Sequence, residues 1–431
     1  MEHSQADQTE VLLLGEDSGL TRFANSYIHQ NVAESNAEVR VRVVFGRRIG
    51  VGTTNDLSVQ GLRRAVDEAS RVAKLQPENP DFVSLPGPRP IRDVQSYVKN
   101  TAEATPEQRA ETVQMICTRA TERGLEAAGA YTTGTFETAV ANSLGVDAYD
   151  VSTAADLSMV IMGDDSSGYA AQVAMDVGAI DADRLVAEAV EGAVRGRGPI
   201  TLEPGTYEVV LDTYAVLDII QFLSYLGFGA RAVEEGTSFL TGKLGQKVLG
   251  ESIDIWDDGH DPSGLPAPFD YEGVPKQRVT LIERGVAEGV VYDSYTAHKA
   301  GKESTGHALP APNPAGPMPT NVFMHPGNAT RDDLIRSCKR GVLVTRFWYT
   351  EPVHPRLVVV TGMTRDGTFL IEDGQISRPV RSLRFTQSYL DALSQVEAIS
   401  RETRLLREFM GATRVPAIKV AKFNFTGVSE F

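Results

Sequence analysis

The pattern of apolar and polar positions in the first part of the chain predicts alternating strands and helices. Within residues 38–49, valines alternate with arginines, and this period of two is typical of a half-exposed strand. Residues 59–75 repeat apolar side chains every three or four positions behind Ser58, which predicts a capped amphipathic helix. Thr105-Pro106-Glu107-Gln108 has the form of a capping box before a second helix, and Asp181 precedes a third.

Beyond a Gly- and Pro-rich segment at residues 195–205, the pattern changes to short strands. The apolar run 214–228 is long enough to predict a buried helix, and residues 387–409 predict another helix. Three tripeptides predict hairpin turns: Glu283-Arg284-Gly285, Arg365-Asp366-Gly367 and Glu372-Asp373-Gly374.

These elements predict an α+β protein with two domains. Residues 1–198 are predicted to form an N-terminal α/β-type domain, in which an antiparallel sheet is combined with helices. Residues 199–431 are predicted to form a C-terminal β-rich domain with a central buried helix.

The composition excludes several classes of function. With 42% hydrophobic and 23% charged residues, the chain has ordinary globular values. Its net charge of −15 argues against a nucleic-acid partner, because phosphate binding needs a basic surface. No stretch approaches the length of a membrane span, and the first residues lack the basic and apolar regions of a signal peptide. We therefore expect a cytoplasmic protein.

Few residues offer an evident catalytic or metal site. Cys117 and Cys338 have no histidine near them in the sequence and are expected to be reduced, buried thiols. Residues 257–261 place three aspartates around His260 and could hold a divalent cation, although a solvated loop has the same composition. Ser304 lies near His307, but no nucleophile elbow surrounds it.

Several motifs together resemble those of one family. Residues 212–248 combine the apolar helix with a Gly-Thr-Ser turn at residues 236–238. Further matching segments are Asn142-Ser143-Leu144-Gly145, Phe269–Pro275 with its Asp-x-Glu-Gly-Val core, Ser304-Thr305-Gly306-His307 and Gly341–Thr345. In their order and spacing these segments resemble the TldD/PmbA family, also called TldD/TldE. The resemblance covers nearly the whole chain.

The resemblance implies a zinc-binding helix whose ligands are missing here. Catalytic members of the family carry His-Glu-x-x-x-His fifteen residues before the Gly-Thr-Ser turn. Counting back from that turn, the histidine positions fall on Gln221 and Leu226 and the glutamate position on Phe222. Leucine and phenylalanine have no donor atom, and an amide is a poor ligand for zinc. The family's third ligand is a cysteine near the C-terminus, and residues 401–420 contain none.

By this resemblance the chain is similar to the PmbA/TldE-type subunit of a cytosolic metallopeptidase that degrades or processes unfolded peptides. We predict no catalytic residue, metal or cofactor in this chain, and zinc in a TldD-like partner. The partner would form a heterodimer with it, and a homodimer remains an alternative. This subunit would shape the substrate chamber.

The proline-rich residues 306–319 are the predicted wall of a peptide channel, with His307, Pro317, Pro319 and Asn321 as its candidate residues. Prolines favour an extended backbone that has little entropy to lose on binding. A surface linker would have the same composition. Two other functions stay open: a stand-alone hydrolase or pathway enzyme with an unrecognised site around His260 or His307, and a homodimeric peptide-binding or scaffold protein.

Overall fold

The computed structural model describes residues 3–408 and 411–429. Its strands are β1 (Gln8–Ala24), β2 (Tyr27–Phe45), β3 (Arg48–Thr54), β4 (Glu126–Asn142), β5 (Asp147–Met162), β6 (Ser167–Ala174), β7 (Gly205–Leu211), β8 (Ile255–Asp257), β9 (Val279–Glu283), β10 (Val286–Ala287), β11 (Asn321–Met324), β12 (Arg340–His354), β13 (Val359–Glu372), β14 (Gln375–Pro379), β15 (Leu383–Ser388), β16 (Val396–Leu406) and β17 (Ala412–Val428).

The helices lie between groups of these strands along the chain. They are α1 (Val59–Leu75), α2 (Lys99–Ala102), α3 (Pro106–Thr121), α4 (Ala182–Arg195), α5 (Thr213–Gly227), α6 (Ala230–Glu234), α7 (Ser294–Ala300), α8 (Arg331–Arg336) and α9 (Tyr389–Ser394), with single 3-10 turns at Val177–Ala179 and Pro355–Leu357. No helix among the described residues is both long and apolar enough to cross a membrane.

The first six strands form an antiparallel sheet in the order β3-β2-β1-β4-β5-β6, which we call the N-terminal sheet. The period of two on β2 turns its valines towards α1, where Val41 and Val43 pack with Ala69. Helices α3 and α4 pack with β4, β5 and β6 in a second cluster. The arginines of β2 therefore point to the opposite face of the sheet. That face is directed towards the second half of the chain.

The remaining eleven strands form a mixed sheet, the C-terminal sheet. Within it, β7, β12, β13, β15 and β17 pair in sequence and β17 pairs again with β7, which closes a ring of five strands. Helix α5 packs mainly on β12 and β17. Its side chains share one core cluster with those of the ring strands. The α+β class and the central buried helix of the sequence prediction are confirmed, whereas the division at residue 198 stays a prediction.

Two local predictions were wrong. Residues 387–409 form the short helix α9 and then strand β16, and Phe409 lies outside the described residues. Strand β16 exists because it pairs with β17, a distant contact that local sequence does not reveal. Asp366 and Gly367 have positive φ but produce an irregularity within β13, because the strand continues along β12 on both sides. The other two predicted hairpin turns are confirmed.

Candidate functional site

Helix α5 carries the positions that the resemblance assigns to a zinc site. Asp212 caps the helix by accepting the Thr213 N–H. At its other end, the buried Ser238 hydroxyl of the Gly-Thr-Ser turn donates to the Gly227 carbonyl at 2.8 Å. The turn therefore fixes the end of the helix.

The side chains at these positions do not form a metal site. The ring of Phe222 packs against Tyr389 with 6.0 Å between ring centres, and Leu226 packs on the same apolar core. Neither has a donor atom, and a zinc site needs about three protein donors. Among residues 3–408 and 411–429, no group of three or more His, Cys, Asp and Glu side chains is placed to hold a metal ion.

Gln221 is the polar side chain among the three. Its Nε2 is buried and has no hydrogen-bond partner within the described part of the chain. It borders a cavity of about 10 Å³, whose wall includes Pro319 and Thr413. A cavity of that size holds about one water molecule. Gln221 and Pro319 therefore line the same cavity, and this cavity is too small for a peptide.

A second cavity of about 520 Å³ lies between the N-terminal sheet and the loops of the second half. Met318 borders both cavities, so they are adjacent. Residues that line the larger one include Leu14, Glu16, Glu38, Phe136, Thr138, Asp150, Pro266, Pro268, Tyr271, Lys276, His307 and Thr320. Volumes of 300–1,000 Å³ are usual for ligand sites. Its lining combines apolar side chains with both acidic and basic ones.

His307 and Asn321, both predicted as channel residues, meet at Asp257. The Asp257 carboxylate lies 2.8 Å from His307 Nε2 and accepts the N–H groups of Thr320 and Asn321 at 2.8 and 2.7 Å. Because a carboxylate only accepts, His307 Nε2 carries the proton. The Asn321 amide donates to the Leu265 carbonyl. These residues hold the cavity wall in place. Pro317 is buried, with its carbonyl directly beside Gly229.

Charge fixes the protonation states in this wall. Burial raises the pKa of Asp257, but the Lys276 ammonium, 3.9 Å away, and His307 outweigh it and leave the pKa well below its ordinary value. Burial, and then Lys276, lower the pKa of His307. The pair therefore consists of a neutral imidazole and a carboxylate at neutral pH.

The alternative metal loop at residues 257–261 does not bring its carboxylates together. Asp257 is engaged with His307 and the backbone, as described. Asp258 accepts the N–H of His260 at 2.9 Å, and Asp261 accepts that of Ser263 at 2.9 Å. These are the side-chain turns of a loop stabilised by its own aspartates.

The Asp-x-Glu-Gly-Val segment joins the two halves of the molecule. Glu272 lies 2.9 Å from Arg42 of β2, and Arg42 also reaches Glu10 of β1 at 2.6 Å. Asp270 accepts the N–H groups of Val274 and Ala308. Burial and the neighbouring Glu272 charge raise the pKa of Asp270 to about 7. The segment thus joins the halves by a largely buried ionic contact, and its Asp270 and Tyr271 line the cavity.

Sequence reasoning missed the one buried carboxyl group of α5, Asp218. Asp218 accepts hydrogen bonds from the hydroxyls of Thr350, at 2.7 Å, and Tyr389. Burial raises its pKa to about 7. An acid within the apolar run 214–228 was the available signal. Asp218 is not available as a metal ligand beside Gln221, because its two oxygens accept hydrogen bonds from the Thr350 and Tyr389 hydroxyls.

The chain matches the PmbA/TldA metallopeptidase family in three segments. The family's domain 1 matches residues 9–73, its central domain residues 86–197 and its C-terminal domain residues 204–427. The C-terminal match contains helix α5 and the whole ring of strands. The central match contains α3, β4 and β5.

Individual relatives agree with this match. A Metalloprotease PmbA homolog of Haemophilus influenzae is 25% identical over 89% of this chain and 85% of that protein. A Metalloprotease TldD homolog of the same organism is 23% identical over 85% and 80%. A metalloprotease of Methanothermobacter thermautotrophicus is 28% identical, but the chain matches only about half of its length, 51%.

The fold is shared with a solved relative. TldE from Thermococcus kodakarensis superposes with a TM-score of 0.91 at 24% identity, covering 98% of this chain and 97% of that one. The similarity extends through both sheets. With three matched family segments, full-length relatives and a common fold, the chain belongs to the TldD/PmbA metallopeptidase family.

Proposed function

We propose that this chain is the zinc-free, PmbA/TldE-type subunit of a two-chain metallopeptidase and that it walls part of the peptide chamber. The carrying observation is the chemistry of helix α5, where Phe222 and Leu226 pack in the core and Gln221 borders a cavity for a single water. Helix α5 thus still packs in the core, although the side chains at its zinc-ligand positions are not zinc donors. Peptide hydrolysis would then belong to a TldD-like partner with an intact His-Glu-x-x-x-His motif.

The cavity of about 520 Å³ supports a chamber role. It is adjacent, across Met318, to the small cavity that Gln221 of α5 borders. Leu14 and Phe136 offer apolar contacts to a peptide, and the loop around Pro266 and Pro268 forms a stiff opposite wall. Such walls would position an extended peptide and exclude water. The His307–Asp257 pair and Asn321 would keep this wall rigid without taking part in chemistry.

Metal analysis of the purified chain is the first test. We expect substoichiometric zinc in the isolated chain and about one zinc per complex after assembly with the TldD-type chain of the same organism. The isolated chain should not cleave unfolded peptides, and the complex should do so with sensitivity to chelators. Stoichiometric zinc in the isolated chain would overturn the proposal.

Two further outcomes would select the other functions left open by the sequence. Peptide cleavage by the isolated chain that resists chelators would indicate a stand-alone hydrolase. A stable self-dimer with no affinity for the TldD-type chain would indicate a peptide-binding or scaffold protein.

A further inference from the structure

Strand β2 is paired on both sides along only part of its length. It pairs with β1 along almost its whole length, whereas β3 accompanies it only from Val39 to Phe45. Residues 31–37 of β2 therefore form one edge of the N-terminal sheet, and we call this segment the free edge. Its residues are exposed to solvent up to Asn36.

The pairing register shows which backbone groups of the free edge point outward. The Ser143 N–H donates to the Thr9 carbonyl at 2.8 Å, so the odd-numbered residues of β1 bond to β4 and the even-numbered ones bond to β2. On β2, the partners of these residues are also even-numbered, such as Asn36 opposite Glu16. The N–H and C=O groups of the odd-numbered residues of β2 therefore face away from the sheet. Within the described part of the chain, these groups have no hydrogen-bond partner at Asn31, Ala33, Ser35 and Ala37.

The free edge lacks the features that usually prevent a further strand from pairing. Natural proteins protect sheet edges with lysine, proline, bulges or very short strands. Residues 31–37 contain neither lysine nor proline, and their register with β1 is regular throughout. Ala33, Ser35 and Ala37 point to one face of the strand and are small, which leaves room for neighbouring side chains. The segment is therefore open to backbone pairing with an extended chain.

One end of the free edge coincides with the wall of the cavity of about 520 Å³. Asn36 and Glu38 line this cavity from β2, and the residues opposite them on β1, Glu16 and Leu14, line it as well. The cavity wall and the free edge thus belong to the same two strands. A strand added outside β2 would extend the sheet that forms this wall.

The other end of the free edge meets a shallow groove beside helix α3. Ile28 of β2 lines this groove together with residues of α3 that include Gln114 and Met115. Pockets beside an edge strand accept alternate side chains of an added strand. From Ile28 to Glu38, β2 joins the groove to the cavity over about 33 Å, at about 3.3 Å per residue.

We propose that the free edge binds the extended backbone of a peptide substrate as an added strand and leads it into the cavity. The inference rests on the proposed function and names what this site recognises, which is the peptide main chain. A cavity of this volume holds a ligand of drug size, so an unfolded peptide that enters it continues beyond it. Main-chain pairing with the free edge accepts peptides of different sequence, because it uses N–H and C=O groups.

A second copy of the chain fits the free edge less well than a peptide does. Glu16 and Glu34 point to one face of the sheet, and neither has an ion-pair partner among the described residues. Two copies paired through their free edges would bring both Glu34 carboxylates onto one face of a shared sheet with no cation between them. Like charges in that arrangement repel each other. A neutral peptide avoids this repulsion.

The first test measures peptide binding to the isolated chain by fluorescence anisotropy. The probe is a dye-labelled peptide of about 20 residues with alternating Thr and Ser, long enough to cover the free edge. Ala33→Pro removes one outward N–H, and it leaves the bonds to β1 in place because proline is tolerated where the N–H faces solvent. We expect Kd to rise at least about tenfold, since the carbonyl of the peptide loses its donor and meets the ring.

The matched control is Ala33→Val, which keeps the N–H and favours a strand. Its Kd should stay within about twofold of that of the parent chain. The same peptide with its backbone nitrogens methylated should bind the parent chain at least about tenfold more weakly, because it can no longer donate to the edge. Thermal unfolding of both variants identifies any loss of fold.

The second test uses the complex with the TldD-type chain and compares two peptide lengths. For a peptide of about 20 residues, Ala33→Pro should raise KM at least about fivefold with little change in kcat, because it removes binding outside the cavity. For a peptide of about five residues, both constants should stay within about twofold of those of the parent complex. A general loss of structure would affect both lengths alike.

The outcomes separate this inference from the function on which it rests. If the parent complex cleaves peptides and Ala33→Pro behaves like Ala33→Val in both tests, the free edge does not bind substrate and the chamber role stands. Lack of binding of the labelled peptide by the isolated parent chain would also overturn the inference. If the complex cleaves no peptide, the proposed function fails, whatever the edge binds. If Ala33→Pro loses assembly with the TldD-type chain or loses self-association, and Ala33→Val does not, the edge pairs with that protein and the proposed occupant is wrong.

Discussion

Asp218 places a carboxyl group in the apolar core, where its ionised form is costly. Burial raises its pKa to about 7, although hydrogen bonds from Tyr389 and Thr350 favour the charged form and oppose the shift. In the unfolded chain an aspartate titrates near 3.9. The folded protein therefore binds the proton more tightly than the unfolded chain over the interval from about 4 to about 7.

This difference predicts a pH dependence of stability that a neutral substitution removes. Asp218→Asn mimics the protonated acid, because the amide accepts from one hydroxyl and donates to the other. The free energy of unfolding of the parent chain, minus that of Asp218→Asn, should fall as pH rises from about 4 to about 7 and then level off. The slope approaches about 1.4 kcal/mol per pH unit. Urea unfolding at several pH values measures it, and a constant difference would contradict the assignment.

At the scale of elements, local signals predicted those helices whose ends are fixed by neighbouring side chains. Ser58 accepts the Gly61 N–H, and Thr105 and Gln108 form the reciprocal capping box that the sequence indicated. Strand β16 could not be predicted in this way, because its pairing with β17 decides its conformation. The site has the same limit. Motif spacing was enough to single out Gln221 and the neighbouring positions, but the contact of His307 with Asp257 could not be predicted locally, because the two residues are 50 positions apart.

The contact between β3 and α1 depends on a glycine whose role the sequence left unassigned. A Cβ on Gly50 would lie 2.1 Å from the Ala69 carbonyl oxygen and 2.4 Å from the Ala73 nitrogen, so the helix backbone would have to move. Gly50→Ala should lower the free energy of unfolding by about 3 kcal/mol, as overpacking does. Gly87→Ala is the matched control, because nothing lies within 4 Å of its added Cβ. Equal urea midpoints for the two variants would show that α1 adapts freely.

At the scale of the whole molecule, a largely buried arginine links the two sheets at one of their junctions. Arg42 lies on the face of the N-terminal sheet that turns away from the helices, and it pairs with Glu10 and with Glu272 of the second half. Leu12 and Phe269 add an apolar contact at the same junction. Further along this face the two halves separate, and the space between them is the cavity of about 520 Å³. The cavity is thus a consequence of how the halves join, which no local pattern predicted.

A substitution that fills this cavity tests whether peptides use it. Thr138 lines the cavity on β4, and Thr138→Trp would narrow it with an indole ring. In the complex with the TldD-type chain, we expect kcat/KM for unfolded peptides to fall at least about tenfold, a loss of about 1.4 kcal/mol in transition-state stabilisation. Assembly and zinc content should be unchanged, because Thr138 faces the cavity and the helices on the opposite face of the sheet are untouched.

The control for this experiment places the same ring away from the cavity. Thr121 is exposed at the end of α3, which packs on the other face of the N-terminal sheet. Thr121→Trp should therefore leave peptide cleavage by the complex within about twofold of the parent. If Thr138→Trp cleaves peptides as fast as this control while the complex stays assembled, substrates do not pass through the space between the sheets. This chain would then contribute to the peptidase only through its contact with the partner.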